Sequence, residues 1–166
     1  MFWVMLLGLD KAGKSSLINY IESGSMGDTT PTLGLSSKQI NLDEKVVTFM
    51  EFGGQEDFRK NFLNAETWGY ARKRASSKQA ATVFVLDPLD TRWEDAKQWY
   101  EDVSRGFAKP ELIIFTKMDL AENIDTNALL EKLGLPIDYP CATTSSKTGK
   151  NVIDTFKSLI SKRDTE

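Results

Sequence analysis

The chain has 166 residues, 27% of them charged, and a net charge of −3 at pH 7, which fits one domain with a full core and gives no bulk attraction to nucleic acid. It contains no histidine, so a Ser-His-Asp triad and a His-bound zinc site are both excluded. The single cysteine, Cys141, excludes an internal disulfide and suits a reducing compartment.

The first apolar run, Phe2–Leu7, predicts a buried strand. It is too short to span a bilayer and carries neither a charged leader nor a cleavage site, so it reads as no secretory signal. Phe2 excludes N-myristoylation, which needs glycine there. The expected setting is therefore cytoplasmic. The run leads straight into Gly8-Leu9-Asp10-Lys11-Ala12-Gly13-Lys14-Ser15, the spacing of a phosphate-binding loop between strand and helix. Gly8 and Gly13 let the backbone fold back so that its N–H groups converge on phosphate oxygens at a helix N-terminus. Asp10, Lys11, Ala12, Gly13, Lys14, Ser15 and Ser16 form the expected phosphate cradle. Lys14 reaches for the β- and γ-phosphates and the Ser15 hydroxyl for Mg²⁺.

Further strands are predicted at Lys38–Leu42, Val46–Phe52, Thr82–Asp87, Leu112–Thr116 and Ile137–Cys141, with a tight turn at Asp43-Glu44. Apolar residues at helical spacing (Ala96, Trp99, Tyr100, Val103, Phe107; then Ala128, Leu129, Leu133; then Val152, Phe156, Leu159, Ile160) predict the intervening helices. Trp93, Trp99 and Tyr100 read as core residues. Solid apolar strands alternating with helices indicate an α/β fold of the P-loop NTPase kind. Its sheet has six strands, mostly parallel with one antiparallel edge strand, and helices on both faces. Residues 1–166 are read as a single domain. Ligands on such sheets collect at the carboxyl ends of the strands.

Those ends carry the other parts a nucleoside triphosphate needs. In Thr30-Pro31-Thr32-Leu33-Gly34, Thr32 can offer its hydroxyl to Mg²⁺ and its N–H to the γ-phosphate. In Glu51-Phe52-Gly53-Gly54-Gln55, Gly54 admits a backbone N–H to the γ-phosphate and Gln55 can orient an attacking water. In Thr116-Lys117-Met118-Asp119, the Asp119 carboxylate can accept two hydrogen bonds from guanine, which adenine cannot supply. Ser145-Ser146-Lys147-Thr148-Gly149 can cover the base from its other side.

These five segments, in this order and over essentially the whole chain, resemble the motif set of the Ras superfamily of small GTPases, most closely its Arf branch. Leu9-Asp10 with Ala12, the Pro-Thr-x-Gly form at 31–34 and the doubled glycine at 53–54 are similar to Arf proteins. The last motif is closer to the Rab and Ran form. Cys141-Ala142-Thr143 looks like the Arf equivalent but lacks a glycine four residues on, whereas Ser145 has Gly149, so the base-covering residues are set at Ser145, Ser146 and Lys147.

The resemblance implies a switch. GTP and GDP bind with Mg²⁺ held by Ser15, Thr32 and, through water, Glu51. Gln55, Lys14 and Thr32 act in hydrolysis, with a slow intrinsic rate on the order of 10⁻⁴–10⁻² per second. Segments 24–35 and 53–66 relax when the γ-phosphate leaves. Implied partners are an exchange factor, a GTPase-activating protein and effectors. The alternative is a binding or scaffold subunit that holds GTP with little turnover. Glu51 stands where the family has aspartate, one methylene shorter, and a displaced metal contact is expected from it. Thr116 replaces asparagine, and weaker bracing of the phosphate loop is expected. Residues 64–79 form an insertion relative to the Arf pattern, carrying Arg72, Lys73, Arg74 and Lys78. It reads as a solvated loop, or as a patch for an acidic partner or membrane surface. No amphipathic helix of the Arf kind precedes the first strand, so an anchor is not expected in this sequence, and the oligomeric state is left open.

Overall fold

Strand β1 (Phe2–Gly8) pairs in parallel with β3 (Lys45–Phe52) on one side and with β4 (Ala80–Leu86) on the other. The molecule is described here by a computed structural model covering residues 1–62, 68–121 and 123–164. Beyond β3 lies the antiparallel edge strand β2 (Leu35–Leu42), and beyond β4 lie β5 (Leu112–Phe115) and β6 (Cys141–Thr143), giving one six-stranded sheet in the order β2-β3-β1-β4-β5-β6. Successive connections thus leave β1 in opposite directions. The loop after β1 opens at that switch point, where α/β sheets bind ligands.

The strands are apolar on both faces because both are covered. Val4, Leu6, Val47, Phe49, Val83, Val85 and Ile114 face Leu17, Ile18 and Ile21 of α1 (Lys14–Ser23) and Val152, Phe156, Leu159 and Ile160 of α6 (Val152–Asp164). Met5, Leu7, Met50, Phe52, Phe84, Leu86, Ile113 and Phe115 face the opposite layer. That layer comprises α2 (Glu56–Phe62), α3 (Gly69–Ala75), α4 (Trp93–Gly106) and α5 (Thr126–Lys132). Burying each such side chain contributes about 1.5–3 kcal/mol. Trp99 and Tyr100 are core residues, as read from the sequence; Trp93 is only half-buried and has the Lys132 ammonium over its ring.

Strand β4, expected at Thr82–Asp87, runs from Ala80 to Leu86, and three other elements differ more from expectation. Strand β2 begins three residues early, since every residue from Leu35 to Leu42 finds a partner on β3, from Leu35 opposite Phe52 to Leu42 opposite Lys45. The last strand is not Ile137–Cys141 but Cys141–Thr143. Ile137 is 71% exposed, the Tyr139 N–H turns back to the Pro136 carbonyl, and pairing starts only at Ile113 opposite Cys141. Within the insertion, residues 69–75 form a helix rather than a loop. Its buried Ala71 and the preceding Trp68, stacked on Phe62 at 5.1 Å, hold it to the sheet, and Arg74 lies over the rings of Trp3 and Tyr70. Residues 64–67 of the insertion, and 63–66 of the second switch segment, lie outside the described residues.

Candidate nucleotide-binding site

From Gly8 to Gly13 the chain presents its carbonyls to donors packed around the loop. Lys14 Nζ donates to Leu9 O at 2.7 Å and Gly8 O at 3.3 Å. Arg92 Nη2 donates to Asp10 O at 3.0 Å, Lys117 Nζ to Lys11 O at 2.8 Å, and Thr116 Oγ1 to Ala12 O at 2.5 Å. Gly13 O accepts the first α1 bond, from Leu17 N at 3.0 Å. With these carbonyls engaged, the loop leads into α1 with the unpaired amides of a helix N-terminus, which favour an anion. Thr116 thus still reaches the loop, through a single hydroxyl on Ala12 O where the family has an asparagine amide.

Lys14 is buried, and that burial lowers its ammonium pKa to about 8, although the carboxylates of Glu51 and Asp10 pull the other way. A cation kept dry is one that an arriving phosphate stabilises.

Ser15, Thr32 and Glu51 converge beside it. Ser15 Oγ donates to Glu51 Oε1 at 2.6 Å and lies 3.3 Å from Thr32 Oγ1. The longer glutamate, buried at the end of β3, thus reaches the serine hydroxyl directly. Among the described residues no group of three or more His, Cys, Asp or Glu side chains could cage a metal. One carboxylate and two hydroxyls instead suit Mg²⁺, which keeps waters and substrate phosphates as its remaining ligands.

The segment after β3 closes the far wall. A Cβ on Gly54 would lie 2.1 Å from the Asp10 amide nitrogen, so only glycine lets these backbones meet. Gly53 N donates to Gly34 O at 2.7 Å, tying the 30–34 segment to the 51–55 segment, and Arg59 Nε holds Gly54 O at 2.9 Å. Gln55 lines the same cleft, and its Oε1 is buried against Gly53 without a hydrogen-bond partner among the described residues.

Two cavities adjoin here. One, of about 420 Å³, runs from Asp10–Ser16 past Thr32 and Glu51 to Gly54 and Gln55. The second, of about 330 Å³, shares Gly13, Ser16 and Lys117 with the first and continues to Thr116, Asp119, Ser146 and Lys147, with Met26 and Leu120 as apolar walls. Ser145 Oγ donates to Asp119 Oδ1 at 2.6 Å, so the 116–119 and 145–149 segments meet at this cavity. Gly149, at φ +81°, packs against Tyr20, whose hydroxyl would lie 1.8 Å from an added Cβ. Lys117 also pairs with Asp87 at 2.6 Å.

The ADP-ribosylation factor family model matches residues 1–162. The chain belongs to the Arf family of small GTPases. It is 30% identical over 159 residues to ADP-ribosylation factor-like protein 13B of Chlamydomonas reinhardtii, covering 90% of this chain and 28% of that one. It is 28% identical over 150 residues to human ADP-ribosylation factor-like protein 4C, covering 84% and 72%, and 28% identical over 137 residues to ADP-ribosylation factor-like protein 8c of Arabidopsis thaliana, covering 78% and 68%. Among the described residues of this Arf-family chain, no helix is long and apolar enough to cross a membrane.

Reading the Arf motifs alone misses Arg92, Asp90, Asp87 and Arg59. Asp87, Asp90 and Arg92 follow the end of β4, where strand-end position is a signal that could have found them, whereas Arg59 sits within α2 and carries no such signal.

Proposed function

We propose that the protein is a GTP-binding switch that hydrolyses GTP to GDP with Mg²⁺, residues 1–166 acting as one G domain. What carries this reading is the pair of adjoining cavities: one lined by loop amides and a buried lysine, the other by a carboxylate suited to guanine. Ser15 and Thr32, with Glu51 through water, hold Mg²⁺, which when bound offsets charge on the phosphate oxygens. Lys14 and the amides of residues 10–13 bind the phosphates in place. Gln55, with its amide oxygen short of a donor, aligns the attacking water. Thr32 and Gly54 sense the terminal phosphate, and its loss releases residues 24–35 and 53–66, a change of surface that effectors read. Exchange and GTPase-activating proteins set the timing. The work is done in the cytoplasm or at the periphery of internal membranes.

Protein stripped of nucleotide should take up GTP at micromolar concentration only with Mg²⁺, and ATP should not compete. Failure to bind GTP overturns the reading. In single-turnover hydrolysis, Gln55→Leu should slow the wild-type rate; equal rates favour the scaffold alternative, in which GTP is held and seldom cleaved.

A further inference from the structure

We propose that Arg92 is a positioning residue that holds the Asp10 carboxylate away from the terminal phosphate and so sets the preference for GTP over GDP. This rests on the nucleotide reading above. Asp10 lines the phosphate cleft together with Gly54 and Gln55, the end at which that reading puts the third phosphate. A carboxylate in a hollow shaped for anions repels what the hollow holds, and most strongly the phosphate nearest to it.

Arg92 answers this charge from behind the loop, 82 residues along the chain. Its Nη1 donates to Asp10 Oδ1 at 2.6 Å, and its Nη2 donates both to Asp10 O at 3.0 Å and to Asp90 Oδ2 at 2.7 Å. Its Nε takes Asp90 Oδ1 at 3.0 Å, and that same oxygen accepts the Arg92 backbone N–H at 2.9 Å. The guanidinium is thus fixed on two prongs by Asp90 before it meets Asp10, and a planar fork is suited to this double duty. Lys14 feels both members of the pair, Asp10 as a favourable neighbour and Arg92 as an opposing one, so the two charges act within the phosphate site itself.

A residue that only stapled the loop would weaken both nucleotides alike, because the loop holds the phosphates they share. A residue that restrains Asp10 must change their ratio. Dissociation constants for mant-GDP and mant-GppNHp, measured with Mg²⁺, give that ratio. Arg92→Ala should lower the preference for the triphosphate about tenfold, and Asp10→Asn in the same chain should restore it. An unchanged ratio in Arg92→Ala overturns the proposal, and so does a lowered ratio that Asp10→Asn fails to restore. Should Arg92→Ala not fold, Asp10→Asn alone must raise the preference for the triphosphate, and an unchanged ratio there also overturns the proposal. Wild-type protein that binds neither nucleotide would instead bring down the nucleotide reading.

Discussion

The Ser145 hydroxyl donates a 2.6 Å hydrogen bond to the Asp119 carboxylate, across 26 residues of chain. The bond orients one carboxylate oxygen and leaves the other acceptor positions of Asp119 for a ligand. Asp119→Asn should shift preference from guanosine to xanthosine diphosphate, because the amide can donate where the acid only accepts. Ser145→Ala should weaken GDP binding about tenfold, the worth of one hydrogen bond to a charged group. Competition between GDP and XDP measures both effects. No shift toward xanthosine in Asp119→Asn removes Asp119 as the base reader.

Thr116 supplies the donor for the Ala12 carbonyl at 2.5 Å. Thr116→Val keeps the shape and deletes the hydroxyl, leaving that carbonyl without its partner at a cost of about 1–2 kcal/mol. The loop should loosen, and mant-GDP should dissociate about tenfold faster while circular dichroism is unchanged. An unaltered rate would mean that Thr116 does not brace the loop.

Lys14 gives the site a pH dependence. Its ammonium pKa lies at about 8 through burial, and bound phosphate favours the protonated form. Below pH 8 the lysine is already charged, so affinity is level there. Above it, binding must take up a proton, and affinity falls by up to tenfold per pH unit until the raised pKa of the complex is reached. Titrations of mant-GDP between pH 7 and roughly pH 9.5 should show this decline, accompanied by proton uptake in calorimetry. A level profile would exclude Lys14 from phosphate contact.

Gly149 and Tyr20 are coupled by contact. Gly149→Ala should destabilise the fold by about 2 kcal/mol, part from the left-handed backbone and part from displacing the Tyr20 ring. In a Tyr20→Ala background the same change should cost only the backbone share, about 1 kcal/mol. Urea denaturation of the four proteins tests the cycle, and strict additivity would contradict it.

Much of this architecture is legible in the sequence because its signals are local. Strands β1 and β5 are apolar runs, β4 is one broken only by Thr82, and Ala96, Trp99, Tyr100 and Val103 repeat at helical spacing. The phosphate loop is legible for the same reason: Gly8 and Gly13 report a backbone requirement within six residues. What escapes is decided by distant partners. Leu35, Ser36 and Ser37 look unlike a strand, yet β3 pairs with them; Ile137 looks like one, yet it stands in solvent. Helix α3 is held by Trp68 packing on Phe62 rather than by its own short, basic sequence. Arg92 shows no motif, since its meaning comes from Asp10, which only the closed sheet brings near.

The contact at Gly54 has a mechanical corollary. With bare main chain resting on bare main chain beside Asp10, there is no pliable side chain between them to soak up small displacements. While the two ribbons stay in contact, a shift of a few tenths of an ångström in one is handed to the other, so any release of residues 53–66 has to begin by parting Gly54 from the loop.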